Sequence, residues 1–299
     1  MPQVTTPQLQ SILDISTFVF AVAILIFVGV EAALLYAIFR FRERGDDRPA
    51  ARFVSNQRLE IAWTIAPLAV LVVVFALMLG AMQRISAAPA DALVVRVIGH
   101  QWWWEFRYGD VVTANELHLP VGKPALLEIT SADVIHSFWV PSLAGKRDGV
   151  PTQIQRLAIT PMQEGTFGGA CAEFCGQEHA WMLITVVVES ADQFQTWLDG
   201  QRGPATTSTS DPGAQVFLSS TCINCHTLRG TSASGTAGPD LTHFASRATL
   251  GAGVAPNDDA HRAMWIRDAG ALKPGALMPP FAFSETQLAD LVRYLGSLK

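Results

Sequence analysis

The chain has 299 residues, 49% of them apolar and 16% charged, with 26 acidic against 21 basic side chains and a formal net charge of −5. That length calls for two or three structural units rather than one, and the acidic balance argues against nucleic acid as a partner. Mean hydropathy is positive at +0.27, and the apolar excess is concentrated near the N-terminus.

Residues 18–39 form an apolar run broken only by Glu31, and residues 61–82 form a second run without a charge. At about 1.5 Å per residue each is long enough to cross a hydrocarbon core. Residues 1–88 therefore read as an N-terminal segment and a two-helix transmembrane hairpin in membrane lipid; core helices of a soluble protein are usually shorter and more interrupted. The connecting loop, 40–58, carries Arg40, Arg42, Arg44, Arg48, Arg52 and Arg58, whereas residues 1–17 contain no Lys or Arg. The positive-inside rule places this loop in the cytoplasm and everything after the second span outside. No basic n-region precedes the first span, so that span is expected to direct its own insertion. A charge at mid-helix costs about 2.5–3.5 kcal/mol on insertion scales, so Glu31 is expected to face protein or be protonated.

From residue 93 the texture changes. "LVVRVIG", "ALLEIT", "RLAIT" and "LITVVVE" are short β-branched runs separated by Pro and Gly, the pattern of a β-sandwich or barrel over residues 89–200. Residues 91–200 hold 13 acids and 6 bases, a surface that suits a basic protein partner. A Gly/Pro/Ser/Thr linker follows at 201–212, and residues 213–299 form a last unit; residues 211–299 hold 7 acids and 7 bases. Ser284 with Gln287 has the spacing of a capping box, and Leu288, Leu291, Val292, Leu295 and Leu298 then line one helix face.

Two motifs carry chemistry. "CINCH", Cys222 to His226, is the C-x-x-C-H signature of covalent haem c attachment, with His226 placed to bind the iron. A redox pair would prefer a thioredoxin-like βαβ context, and a zinc site would need further ligands that His243 and His261 do not supply at a fitting spacing. Met278, in "LKPGALMPPF", is the expected second axial ligand; its rival Met264 reads as a helix core position. Met/His ligation raises the haem potential and suits electron transfer. The second motif is "CAEFCGQEHAWM", residues 171–182. A disulfide would leave Glu173, His179 and Met182 unexplained, and a zinc site would leave the methionine idle. Soft thiolates, imidazoles and a thioether suit copper best, although spacing alone leaves all three open.

The last 85 or so residues resemble a small class I cytochrome c, with "GPDLTHFASR" and "MPPF" adding to the haem motif. In such domains the proline matching Pro239 packs near the histidine ligand. The whole chain resembles subunit II of the haem–copper cytochrome c oxidases, through "LEIAWTIAPLAVLVVVFAL", "GHQWWWEFRY", "TSADVIHSFWVPSLAGKRDGVP" and C-x-E-x-C-G-x-x-H-x-x-M. The fused haem domain makes it similar to the caa3-type. The resemblance implies a cupredoxin-like β-sandwich holding a dinuclear copper centre, CuA. Cys171 and Cys175 would bridge the coppers, His136 and His179 would be terminal ligands, and Met182 and the Glu173 carbonyl would be weak ones. The Glu173 carboxylate would face a magnesium ion shared with subunit I. Trp102 would be an exposed entry point for electrons and Glu60 the acid at the mouth of a proton pathway, while His100 and His118 are expected to be ordinary hydrogen-bonded residues.

The implied function is that of an electron-entry subunit of a proton-pumping terminal oxidase in the bacterial inner membrane. Electrons would pass from an external donor, cytochrome c or a bc1-type complex, through haem c and CuA to the haems of subunit I, with subunit III a further partner. Seven histidines, most already allotted, cannot also build an oxygen-reducing site, which sets the chain apart from nitrous oxide reductase. The rival outside this class is a membrane-anchored cytochrome c whose β-domain merely holds copper or zinc.

Overall fold

The computed structural model describes residues 5–42, 55–86, 89–205 and 208–299. Arg44, Arg48 and Arg52 of the basic loop, and residues 206–207 within the expected linker, lie outside these. Two long helices come first, α1 (Pro7–Arg40) and α2 (Gln57–Ser86). Both overrun the apolar runs because polar residues close their ends. Thr6 Oγ1 accepts the Leu9 amide at 3.0 Å and Asn56 Oδ1 the Leu59 amide at 3.3 Å, as N-caps do. Along both helices large apolar side chains such as Phe20, Leu25, Phe27 and Leu71 are exposed. Both are long and apolar enough to cross a membrane.

Residues 5–9 belong with the second, larger unit, which begins at residue 86. Thr5 O accepts the Met162 amide at 2.8 Å, Gln8 Oε1 accepts the Thr160 amide at 3.2 Å, and the Thr5 and Thr6 hydroxyls donate to the carbonyls of Ser142 and Leu143.

Ten strands form a β-sandwich: β1 (Leu93–His100), β2 (Trp103–Tyr108), β3 (Val111–Ala114), β4 (Glu116–Pro120), β5 (Ala125–Ser131), β6 (His136–Trp139), β7 (Arg147–Gly149), β8 (Gln155–Ile159), β9 (Gly165–Cys171) and β10 (Leu183–Glu189). One sheet has the order β3-β2-β1-β5-β8 and the other β4-β10-β9-β6-β7. The β1/β5 and β4/β10 pairs are parallel. Alternating burial along β5 and β10 turns one side of each strand inward, and Val97, Phe106, Leu127, Phe138 and Val186 are fully buried between the sheets. The helix α3 (Ala191–Arg202) closes this domain, started by a complete Ser190/Gln193 capping box.

The C-terminal domain is helical: α4 (Pro212–Ser219), α5 (Cys222–Cys225), a short hairpin of β11 (Thr249–Leu250) and β12 (Ala255–Pro256), then α6 (Asp259–Arg267), α7 (Ala269–Leu272) and α8 (Glu285–Leu295). The Ser284/Gln287 box opens α8 as expected, and Leu288, Leu291, Val292, Leu295 and Leu298 are buried. They pack on Ala214 and Phe217 of α4. One expectation fails: Met264 is on a helix, α6, but it is 41% exposed, and Ile266 supplies the buried apolar side chain of that helix.

The haem-motif domain packs on the sandwich. Glu116, 5% exposed at the start of β4, accepts the Ala248 and Thr249 amides on Oε1 at 2.7 and 3.3 Å. The Leu183 amide donates to Ala252 O at 3.1 Å, and Ala252 is buried with Trp103 and Ala114.

Candidate metal centre and haem crevice

His136 opens β6 and Cys171 closes β9, and the two strands pair with Phe138 opposite Cys171. After Cys171 the chain loops through Cys175 and a 3₁₀ turn, His179–Trp181, before β10 returns alongside β9. The Cys171 amide donates to Met182 O at 3.0 Å, pinning both ends of the loop. Gly176 lies at φ +117°, a conformation that side chains resist, and a Cβ there would meet the Trp102 ring at 3.0 Å. The glycine after the second cysteine is thus demanded by backbone and packing together.

These elements bring the sequence-marked residues to one end of the sandwich. Cys171 Sγ is 3.8 Å from Cys175 Sγ, 3.9 Å from His136 Nδ1 and 3.3 Å from Glu173 O. Cys175 Sγ is 3.7 Å from His179 Nδ1 and 4.0 Å from Met182 Sδ. His136 and Met182 are fully buried, and both thiols nearly so. The ligand atoms of His136, Cys171 and Cys175 all lie within 4.8 Å of one another, the one such group among the described residues. Sulfurs 3.8 Å apart are too far for a disulfide, near 2.05 Å, but suit metal between them at about 2.3 Å from each.

The electrostatics fit the same use. The Cys175 thiol beside it, helped by His136, holds the Cys171 thiol well below the usual thiol range. The one remaining proton is then held harder on Cys175, whose titration moves upward beside the Cys171 charge. His136 Nε2 donates to Asp133 Oδ1 at 2.8 Å, which leaves Nδ1 free to face the sulfurs. Asp133 had no role in the sequence reading; its only signal was its place three residues before His136.

Trp102 is half-buried rather than exposed. Its indole N–H donates to Cys175 O at 2.9 Å, and Gln101 Nε2 donates to the same carbonyl at 2.8 Å. Trp103 and Trp104 are buried. His100 stacks on Trp103 at 4.1 Å, 3.5 Å from Glu105 Oε2; His118 stacks on Trp197 at 4.0 Å and meets Glu189 Oε1 at 2.9 Å. The Glu173 carboxylate is half-exposed, 3.9 Å from Lys146 Nζ. Glu60, in the first turn of α2, borders a shallow recess with Thr64.

The C-x-x-C-H residues border a cavity of about 430 Å³. Cys222, Cys225, His226 and Met278 all line it, with apolar side chains such as Ile266 and Leu291, and Trp102 completes its wall from the β-domain. His226 Nδ1 donates to Pro239 O at 2.8 Å, as the proline motif implies. Burial lowers the His226 imidazole, favouring the neutral form that binds iron. Arg247, buried on the cavity wall, has an Nε without a hydrogen-bond partner. An apolar crevice with two thiols, an imidazole, a thioether and an unpaired guanidinium N–H fits a haem, whose carboxylates such a group can meet.

Residues 1–79 match the family model of the cytochrome c oxidase subunit II transmembrane domain, residues 111–191 that of its periplasmic domain, and residues 210–299 that of cytochrome c. The chain is 33% identical over 306 residues to cytochrome c oxidase subunit 2 of Alkalihalophilus pseudofirmus, covering 98% of this chain and 89% of that one. It is 32% identical to the Bacillus subtilis protein of the same name, covering 88% and 82%. A solved structure, the periplasmic domain of subunit II of the Bradyrhizobium japonicum cytochrome oxidase, is 28% identical over 39% of this chain and 97% of its own, with a TM-score of 0.38.

Proposed function

The chain belongs to the cytochrome c oxidase subunit II family, and from that premise we propose how its residues divide the work. It is the membrane-anchored electron-entry subunit of an oxidase complex, with a cytochrome c domain fused to its C-terminus as in the caa3-type. When bound, haem c and dinuclear copper supply the one-electron carriers.

In this reading Cys222 and Cys225 would hold the haem covalently, and His226 and Met278 would ligate its iron from the same cavity. Cys171 and Cys175, with His136, His179, Met182 and the Glu173 carbonyl, would hold the copper centre. Asp133 fixes the His136 ring so that Nδ1 faces the metals. Trp102 joins the two sites: its ring borders the crevice and its N–H ends on the Cys175 carbonyl. That arrangement is the observation that carries the proposal. The Glu173 carboxylate is left for a magnesium ion shared with subunit I, and Glu60 for proton uptake. Subunits I and III are the partners within the complex, and cytochrome c or a bc1-type complex is the external donor. The arginines of residues 40–58 support a cytoplasmic loop, with the two redox domains on the outer face of the bacterial membrane.

The test uses the complete chain within its oxidase. Haem staining after denaturing electrophoresis should label this chain, and EPR should give a signal delocalised over two coppers that Cys175→Ser abolishes while haem staining persists. A chain carrying one zinc or no metal, with Cys171 and Cys175 joined as a disulfide, would instead describe a membrane-anchored cytochrome c with a structural β-domain.

A further inference from the structure

Lys273 lies at the end of α7, five residues before Met278, and is one of only four lysines in the chain. A lysine is rarely buried without a dedicated partner, yet its side chain is 4% exposed. Its ammonium crosses the boundary between the two domains. Nζ lies 3.3 Å from Glu178 Oε2, itself 2% exposed, and donates to Trp102 O at 2.8 Å and Gly251 O at 3.1 Å. One cation therefore touches the segment leading to Met278, the β11–β12 hairpin, the residue preceding His179 and the backbone of Trp102.

We propose that Lys273 is a positioning residue: paired with Glu178, it locks the haem domain onto the copper loop and sets the separation and orientation across which electrons pass. The inference rests on the functional reading above. Three further contacts lie along the same boundary, the Ala248 and Thr249 amides on Glu116 and the Leu183 amide on Ala252 O. Backbone contacts of this kind fit one register only. Lys273 closes the side nearest Trp102, where a small displacement matters most. Removing either member of the pair leaves a buried charge without its partner, which loosens the docked state.

Two variants of the complete chain within its oxidase test this, Lys273→Met and Glu178→Gln. They remove charges of opposite sign. An effect exerted through the field at haem or copper must therefore move the potentials, and with them the internal transfer rate, in opposite directions. An effect exerted through docking must act in the same direction in both. The expected result is faster hydrogen exchange at the Ala248, Thr249 and Leu183 amides in both variants, on the order of 100-fold. Electron transfer from photoreduced haem to copper should slow in both, by about tenfold, the scale on which misplacement penalises a positioned reaction. The copper EPR signal should keep its shape. Opposite changes in rate, exchange at the wild-type level, or faster exchange with an unchanged rate would each overturn the proposal. The exchange measurement needs no metal, so it judges the lock even in a chain whose copper or haem content contradicts the functional reading.

Discussion

Two thioethers occupy different surroundings in this chain. Met182 is fully buried with its sulfur 4.0 Å from Cys175, whereas Met278 is half-buried on the crevice wall. Met278→Ala should leave the haem covalently attached, since Cys222 and Cys225 are untouched, while changing its spectrum and lowering its potential. The size of the drop, read by redox titration, lies within the roughly 0.8 V that axial ligands span. An unchanged potential would remove Met278 from the ligand set. Met264 is a poor substitute, because it is not on the cavity wall and is 41% exposed. At this scale the candidate metal residues were legible because cysteine, histidine and methionine carry their chemistry in their type. Asp133, Gln101, Glu178 and Lys273 were not. Charged and amide side chains are ordinary surface residues until the fold places them against a partner, and each meets its partner across a turn, between distant loops or across a domain boundary.

Helix ends and crossings decide the haem domain. Asp211 caps α4 by accepting the Gly213 amide, and Pro212 takes the first helical position, where no amide is needed. Gly213 then lies so close to α8 that a Cβ would fall 2.2 Å from Asp290 O. Gly213→Ala should push the two helices apart and destabilise the domain by about 1–3 kcal/mol, seen as a lower melting temperature of the haem absorbance. A smaller loss, typically about 1 kcal/mol, is expected for Ser284→Ala, which removes the acceptor of the Gln287 amide. The final helix was readable from its apolar spacing and box. The four strand runs with β-branched residues were readable too, as β1, β5, β8 and β10. By contrast β9, "GTFGGAC", has little intrinsic strand preference and is held extended by β10 and β6 on either side. Such a strand exists because of its neighbours, which no local pattern reports.

In the whole molecule, the sandwich and the haem domain meet through buried groups. Salt screens buried charges little, and the Lys273–Glu178 side chains are 4% and 2% exposed. Internal transfer from haem to copper should therefore change less than about twofold between low salt and 0.5 M, followed by laser photoreduction. Delivery by an external donor to the outer surface should weaken over the same range, as screened encounters do. Equal sensitivity of both steps would mean that the domains separate during turnover. The joint between the domains was the least legible feature of the sequence: the linker residues announce a break, while the contacts that cancel it are scattered from Glu116 to Lys273.

The place of Trp102 has a kinetic meaning. A freely diffusing donor must find its acceptor at a rate proportional to its concentration. Here the wall that Trp102 presents is already occupied by the chain's own crevice, so on the proposed path the copper end would have a resident donor whose supply does not depend on dilution. Collision would then move outward by one step, to the side of the haem-motif domain where Cys225 is exposed. Scarcity of reductant in the surroundings would then be felt as slower refilling of the haem, with the handover to copper left untouched.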